Sequence, residues 1–136
     1  MAYSETIKVK IKSQEFCDIT GKVEDIVRNA EAEEDIEDGI CNVFAAGSTA
    51  AVIINENDPM LLEDFRRTLE KVSSSQELYQ HVENAYSHIR SMLTGSSQSI
   101  PVKDGKLMLG TWQNIMVVNF DAETREGEIL VTVVGD

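Results

Sequence analysis

Basic residues are scarce in this sequence. It contains 12 lysines and arginines against 24 aspartates and glutamates, which gives a formal net charge of −12. A charge of that sign repels the phosphates of nucleic acids and of anionic lipids. Long apolar runs are lacking too, because no segment approaches the roughly 20 consecutive apolar residues of a membrane-spanning helix. We therefore predict neither a nucleic-acid partner nor a membrane partner.

Cysteine is equally rare. The two cysteines, Cys17 and Cys41, do not form a CxxC pair, and the sequence has no apolar segment typical of secretion. Disulfides belong mainly to oxidising compartments, so we interpret both cysteines as reduced and structural and predict a cytoplasmic location. A length of 136 residues is typical of one domain, and we predict a single domain over residues 1–136.

Familiar catalytic motifs are also missing. The sequence contains no Walker loop, no GxSxG, no HExxH and no dinucleotide-binding fingerprint. Any chemistry must therefore depend on polar side chains outside such motifs. The main candidates are Ser48, Thr49, Glu56, His81, His88, Ser97 and Gln113.

The N-terminal half alternates between strand and helix patterns. In residues 3–12, apolar residues alternate with Lys8, Lys10 and Lys12, which predicts a strand whose lysines protect a sheet edge. Apolar residues then recur at helical spacing over residues 19 to about 32, with Asp18 as a possible cap. Strands are predicted next at residues 40–46 and 48–55, and a helix at residues 58–72. Residues 51–54 do not alternate, so we expect that strand to be covered on both faces.

The C-terminal third has the pattern of a β-meander. The dipeptide Asp104-Gly105 is typical of a tight hairpin turn, and short strand-like runs flank it at residues 100–102 and 106–109. Pro101 has no N–H group to donate, so the first of these strands is expected at a sheet edge or to end there. Further strands are predicted at residues 115–120 and 128–134.

This order of elements favours an α+β fold, with a largely antiparallel sheet or sandwich and the helices packed on one face. Residues 76–94 are predicted as a helix or as a loop with helical turns, and they carry both histidines. On a continuous helix, His81 and His88 would lie two turns apart, about 10 Å along the axis. They could then share a metal ion only if the segment bends.

Each candidate residue has a functional and a structural interpretation. The two histidines could be metal ligands or acid–base groups, or simply surface residues of a helix. Glu56 directly follows an apolar strand, and its carboxylate could serve a site or only be solvated at the rim. Residues 95–97, which include Ser97, could bind an anion through backbone N–H groups, or could form a turn. Gln113 offers two donors and an acceptor beside Trp112, which is itself either pocket lining or core.

Three segments carry a resemblance to a known family. The block GSSQSIPVKDGKLMLGTWQNI at residues 95–115 is the most specific, followed by STAAVIINE at residues 48–56 and the histidines with Ser87 and Ile89 beside His88. Over nearly the whole chain, the sequence resembles the YjbQ-like family of small proteins. Some members of that family are named secondary thiamine-phosphate synthase.

The resemblance implies a homotrimer with a polar site near a subunit boundary, and a transferase reaction. In that reaction a pyrimidine-methyl group passes from its diphosphate ester to a thiazole phosphate, and pyrophosphate is lost. Under this hypothesis His81 and His88 hold a divalent metal such as zinc or magnesium, and Glu56 and His88 are catalytic. The phosphorylated ligand would be held by Ser48, Thr49, Ser97 and Gln113.

One position departs from the family pattern. Many members have a histidine where this sequence has Gly47, and with the counterparts of His81 and His88 it would complete a three-histidine site. Only two histidines and Glu56 or water remain for a metal in this chain, fewer than the three protein ligands usual in catalytic zinc sites. The alternatives are a homotrimer that binds a metal or a phosphorylated ligand without catalysis, and a structural trimer whose polar cluster joins the subunits.

Overall fold

A computed structural model describes all 136 residues, which form eight strands and three helices. The strands are β1 (Ala2–Ile11), β2 (Phe16–Asp18), β3 (Gly39–Ala45), β4 (Ala50–Asn55), β5 (Ser97–Lys103), β6 (Lys106–Leu107), β7 (Asn114–Asn119) and β8 (Arg125–Gly135). The helices are α1 (Thr20–Glu34), α2 (Pro59–Val72) and α3 (Ala85–Thr94). None of these helices combines the length and apolar composition needed to span a membrane.

The strands form two antiparallel sheets. The larger sheet has the order β1-β8-β3-β5-β6, and the smaller has the order β2-β7-β4. The predicted α+β class with antiparallel sheets is therefore confirmed. Strand β1 lies at an edge of the larger sheet, with Lys8 and Lys10 exposed, as their alternation predicted.

Local sequence accounts for several element boundaries. Helix α2 begins after Asp58, whose carboxylate accepts a hydrogen bond from the backbone N–H of Leu61 at 2.9 Å, and Pro59 occupies its first turn. The turn between β5 and β6 places Asp104 at φ 51° and Gly105 at φ 74°. These positive φ angles are those that a tight hairpin requires, so the predicted turn is confirmed.

The core has two parts, which lie on opposite faces of the smaller sheet. The larger cluster joins α1 to both sheets and includes Val52 and Val117. The smaller cluster lies beneath α2 and includes Ala51, Leu62 and Met116. Since neighbouring residues of β4 enter different clusters, this strand is covered on both faces, as predicted.

The arrangement differs from the sequence-based expectation in two respects. The helices do not pack on one face. The smaller sheet is apolar on both faces, and α1 covers one of them while α2 covers the other. The C-terminal strands do not form a meander, because β7 joins the smaller sheet between β2 and β4, while β8 lies between β1 and β3. Strand β7 is buried on both faces and takes a central position, whereas β8 alternates and leaves one face open.

Strand β5 is not the outermost strand of its sheet. The two-residue strand β6 pairs with Val102 and Lys103, and the backbone N–H of Met108 donates to the carbonyl of Pro101 at 2.9 Å. The pairing thus uses the proline's carbonyl and residues beyond it, and requires no donor from its nitrogen. The prediction that β5 lies at the edge of the sheet is therefore wrong, because β5 is the second strand from the edge. The strand outside it, β6, has only two residues.

Candidate ligand site

The two histidines meet beside the N-terminal turn of α3. His81 lies in the turn before the helix and His88 in its first turns, so the chain bends between them. Their ring centroids are 5.2 Å apart, and the rings meet edge to face with an interplanar angle of 76°. Of the two alternatives left open, a continuous helix and a loop with helical turns, the structure has the second up to Ala85, and the bend that a shared ligand needs is present.

Each imidazole has one nitrogen engaged with an oxygen of the chain. His88 Nδ1 lies 3.2 Å from the carbonyl oxygen of Ser48, and His81 Nε2 lies 3.0 Å from Oδ1 of Asn84. Both oxygens can only accept, so the facing nitrogens carry the protons. In the neutral imidazoles, the other ring nitrogens, Nε2 of His88 and Nδ1 of His81, then present lone pairs. This is the arrangement in which a protein orients histidines for a metal ion.

Helix α3 is fixed to the sheet by buried hydroxyls. Ser87 donates to the carbonyl of Phe120 at 2.6 Å, and Ser91 donates to the carbonyl of Ala50 at 2.5 Å. Ala85 and Ile89 line a shallow depression of about 400 Å³ together with the two histidines. The histidine rings thus stand on a helix whose position is set by the smaller sheet.

Arg90 is the only basic residue close to this site in the sequence, and its donors are engaged within the fold. Its Nε and Nη2 donate to the carbonyl of Ser73 at 3.1 and 2.8 Å, and its Nη1 donates to Oε1 of Gln14 at 3.0 Å. The side chain is buried, and Glu70 lies 3.5 Å away. Arg90 therefore joins α2, α3 and the β1–β2 turn rather than facing a ligand.

The structure brings together some of the predicted site residues and separates others. Ser48 and Thr49 lie in the loop before β4, next to His88. Glu56 follows the other end of β4, roughly 20 Å from Thr49 at the usual rise of an extended strand. Gln113 is at that same far end, because the register pairs the neighbouring residues of β4 and β7 there. Within one chain, neither Glu56 nor Gln113 can reach the histidine pair.

Ser97 lies on β5, away from the histidines. Its hydroxyl accepts a hydrogen bond from Nδ2 of Asn42 at 2.8 Å, on the outer face of the larger sheet. Gly95 adopts φ 92° and joins α3 to β5, and its carbonyl accepts from the N–H of Val52 at 3.0 Å. The structure therefore places residues 95–97 in a turn beside β4.

The donor set at the histidine pair is limited to two imidazoles in one chain. No group of three or more histidine, cysteine, aspartate or glutamate side chains converges anywhere in the structure. Gly47, in the adjoining loop, has open space around it, because a Cβ there would meet only the Cβ of Ala50, at 3.8 Å. Two histidines can supply two ligands of a metal ion whose remaining coordination positions are filled by water, a bound ligand or groups from another chain.

Sequence reasoning missed a polar cluster around Asp18, which it treated only as a helix cap. The carboxylate accepts hydrogen bonds from the N–H and hydroxyl of Thr20 and from the amides of Asn57 and Asn114. Burial raises the pKa of this carboxyl, but the hydrogen bonds outweigh burial and hold the pKa below its ordinary value. The signal in the sequence was the pair of asparagines, Asn57 two residues after β4 and Asn114 at the start of β7.

The two cysteines are both free. Cys41 is buried in the larger core cluster, and burial raises the pKa of its thiol to about 12. Cys17 is half-buried, and burial and neighbouring carboxylates raise its pKa as well. A thiol with a raised pKa is a poor nucleophile, so neither residue has the character of a catalytic cysteine.

The chain belongs to the YjbQ-like UPF0047 family, whose model, described as "UPF0047 protein YjbQ-like", matches residues 5–136. The predicted family membership is therefore confirmed. A similar relative is a UPF0047 protein of Methanocaldococcus jannaschii, which is 37% identical over 138 residues that cover 100% of this chain and 96% of the relative. The UPF0047 protein YugU of Bacillus subtilis is 36% identical over 86% of this chain and 89% of its own length.

Solved structures show the same fold. A YbjQ-like protein of unknown function from Sulfolobus solfataricus matches with a TM-score of 0.93 at 35% identity, over 100% of this chain and 99% of that one. An uncharacterised family member from Clostridium acetobutylicum matches with a TM-score of 0.86 at 37% identity, over 96% and 99% of the two chains. These matches define a family of uncharacterised proteins, and function must be inferred from the site.

Proposed function

We propose that the protein is a homotrimer that binds a divalent metal ion, preferably zinc, at His81 and His88, and a phosphorylated small molecule on the metal. The observation that carries this proposal is the edge-to-face histidine pair, with centroids 5.2 Å apart and one ring nitrogen of each left open. Imidazole nitrogens suit zinc, which prefers four ligands in tetrahedral geometry.

Two protein ligands leave two positions of a tetrahedral zinc ion for other groups. Phosphate oxygens are suitable ligands for such positions, and the hydroxyls of Ser48 and Thr49 lie in the adjoining loop as hydrogen-bond donors. Metal charge would also compensate for the lack of a free basic side chain, since Arg90 is engaged in the fold. The metal and the phosphorylated ligand are therefore expected to bind together.

The outer face of the larger sheet supports self-association. Ile40, Phe44, Leu130 and Val134 are 40 to 52% exposed there, and the register places them in adjacent rows. Uncharged residues fill the rest of this area, namely Asn42, Ser97, Ser99, Pro101 and Thr132. On a chain with a net charge of −12, an uncharged apolar patch is where two copies meet with least repulsion. The trimeric number follows from the resemblance to the family.

A zinc titration tests the proposal. We expect untagged protein to retain zinc after dialysis, and to retain pyrophosphate only when zinc is present. His88→Ala should lose both, while Asn57→Ala, at the far end of the smaller sheet, should lose neither. Zinc retained equally by wild type and His88→Ala would reject the site. Sedimentation should give the mass of three 15.1 kDa chains, and the mass of one chain would reject the trimer.

The transferase reaction is a second candidate, and the loop of Ser48 and Thr49 beside the open histidine nitrogens favours it. The pyrimidine-methyl C–O bond would break, the diphosphate would leave with the electron pair, and the thiazole nitrogen would form the new C–N bond. Hydroxyl donors and a cation are what the leaving diphosphate needs. Glu56 could take part only from a neighbouring subunit. Product formation by wild type but not by Glu56→Gln supports this candidate, and no product above a His88→Ala control rejects it.

A further inference from the structure

An open groove of about 440 Å³ lies between α2 and the smaller sheet. Its apolar walls are formed by Phe16, Ile53, Phe65 and Leu69, and Asn55, the last residue of β4, also lines it. The rings of Phe16 and Phe65 are tilted by 52° to each other, with centroids 6.0 Å apart. Small-molecule sites typically have volumes of roughly 300 to 1,000 Å³, mostly apolar walls and a few placed polar groups.

Asp18 orients two asparagine side chains at this end of the smaller sheet. One of its carboxylate oxygens accepts from the N–H and hydroxyl of Thr20, and the other accepts from Nδ2 of Asn57 at 3.1 Å and of Asn114 at 3.0 Å. A carboxylate can only accept, so both side-chain amides must turn their NH₂ groups towards it. The Oδ1 atoms of Asn57 and Asn114 have no partner in the chain, and they remain open acceptors.

These asparagines adjoin the groove. Asn55, in the groove wall, pairs with Asn114 in the register of β4 and β7. Phe16 is also in the wall, and Asp18 follows it by two residues, which places both on the same face of β2. An apolar surface and two open amide acceptors therefore lie side by side.

The charge around Asp18 is negative. Residues 53–60 and 109–116, which form this end of β4 and β7, contain Glu56 and Asp58 but no basic residue. Open acceptors in a negative field favour a head group that donates hydrogen bonds and carries a positive charge.

Arg66 brings a positive charge to the groove wall, but this charge is compensated. Its guanidinium carbon lies 5.3 Å from the ring centroid of Phe16, and its Nε donates to the carbonyl of Gln14 at 2.8 Å. Its Nη1 lies 3.4 Å from a carboxylate oxygen of Glu63 on the same helix. Arg66 therefore leaves the negative field around Asp18 in place.

We propose that this groove binds a small organic cation with an apolar body and a planar head group that only donates hydrogen bonds, such as an amidinium. The body lies along the apolar walls, and the head group donates to Oδ1 of Asn57 and Asn114. Asp18 is a positioning residue, because its four donors within the chain saturate it and it acts through the two amides. The site goes beyond the function proposed above, since it needs neither the histidines nor a metal ion.

Three probes of equal shape test the head group, namely benzamidine, benzamide and benzoate, each titrated into full-length protein labelled with ¹⁵N. We expect saturable shifts of the backbone amide signals of Asn55 and Leu69 with benzamidine. Benzamidine should bind at least about tenfold more tightly than benzamide, and benzoate should bind most weakly, because it can only accept hydrogen bonds. Absence of saturable shifts, equal affinities, or a preference for benzamide or benzoate would overturn the proposal.

Two substitutions at exposed positions test the contacts. Asn57→Ala removes one acceptor and should weaken benzamidine binding at least about threefold, and Thr68→Trp fills the groove from α2 and should weaken it about tenfold. Met60→Trp is the matched control, because Met60 is 77% exposed on the same helix and outside the groove wall, and it should leave binding unchanged. Unchanged binding in Asn57→Ala, or equal losses in Thr68→Trp and Met60→Trp, would overturn the proposal.

Two further variants separate this site from a structural role and from the histidine pair. Asp18→Asn should reduce the preference for benzamidine over benzamide at least about threefold, a ratio that a loss of stability alone does not change. His88→Ala should leave benzamidine binding unchanged. An unaltered preference in folded Asp18→Asn would contradict the positioning role, and loss of binding in His88→Ala would show that the two sites are one.

Discussion

The imidazole of His88 lies edge to face against that of His81, with the ring centroids 5.2 Å apart, although six residues separate them in sequence. The contact exists because α3 begins only at Ala85, so that His81 lies in a turn folded back against the helix. The carbonyl of Ser48 orients one ring, and Asn84 orients the other. The two open nitrogens are therefore held in place by the fold itself.

Replacing Arg90 should destabilise the protein strongly. Arg90→Met removes a buried guanidinium that satisfies the buried carbonyl of Ser73 and the half-buried side chain of Gln14, and both acceptors would lose this partner. We expect the free energy of unfolding to fall by about 3 kcal/mol, measured by urea denaturation. The control is Arg67→Met, at a side chain that is 75% exposed, and it should change stability by less than about 0.5 kcal/mol. Equal effects of the two substitutions would contradict the structural role of Arg90.

Gly39 and Gly135 should tolerate no side chain. They face each other across β3 and β8, and a Cβ on Gly39 would lie 2.0 Å from the carbonyl oxygen of Val134. Gly39→Ala should therefore lower stability by about 2 kcal/mol or more, measured by thermal and urea unfolding. Gly21→Ala is the matched control, because this helical position has nothing within 4 Å and should gain up to about 1 kcal/mol. A neutral Gly39→Ala would refute the close contact.

The hairpin and the strand alternation were predictable because they are local. Asp104-Gly105 specifies its turn without help from distant residues, and the alternation of β1 and β8 marks which face is buried. Which strands become neighbours was not predictable, because that depends on how apolar faces find partners across the chain. Strand β7 illustrates this, since its burial on both faces requires α1 on one side and α2 on the other, and its neighbour β2 is only three residues long.

The histidine pair was only partly predictable. A spacing of seven residues fits a continuous helix as well as a bend, and the stretch before Ala85 contains no glycine or proline to end a helix. The boundary is set by long-range partners of α3, such as the carbonyls of Phe120 and Ala50. The distance between Glu56 and the histidines was not predictable either, because it depends on β4, which lies between them.

Association should depend on the outer face of the larger sheet. Phe44→Glu introduces a charge in the centre of the uncharged patch, where it would be buried against a second copy, and should convert the proposed trimer to monomers. Sedimentation velocity measures the mass. Met60→Glu, at a 77% exposed position on α2, adds the same charge elsewhere and should leave the trimer intact. If Met60→Glu dissociates the proposed trimer and Phe44→Glu does not, the interface does not lie on the outer face of the larger sheet.

The contribution of Asp18 to stability should depend on pH. Its pKa is below the ordinary value in the folded protein, so the unfolded chain binds the proton more readily. The stabilisation is present above the unfolded pKa of about 3.9 and is lost as pH falls through the lower, folded value. Asp18→Ala should therefore destabilise the protein by the same amount at pH 5 and pH 8, and by less below about pH 4. A difference that grows on acidification would have the wrong sign.

The metal content of purified protein shows directly whether the histidine pair binds a metal ion. Untagged wild type, His88→Ala and Gly47→His would be purified side by side and analysed by elemental mass spectrometry. We expect about one zinc ion per chain in wild type, none in His88→Ala, and tighter retention in Gly47→His, which adds a third imidazole beside the pair. Metal in Gly47→His alone, with none in wild type, would contradict the claim that His81 and His88 suffice.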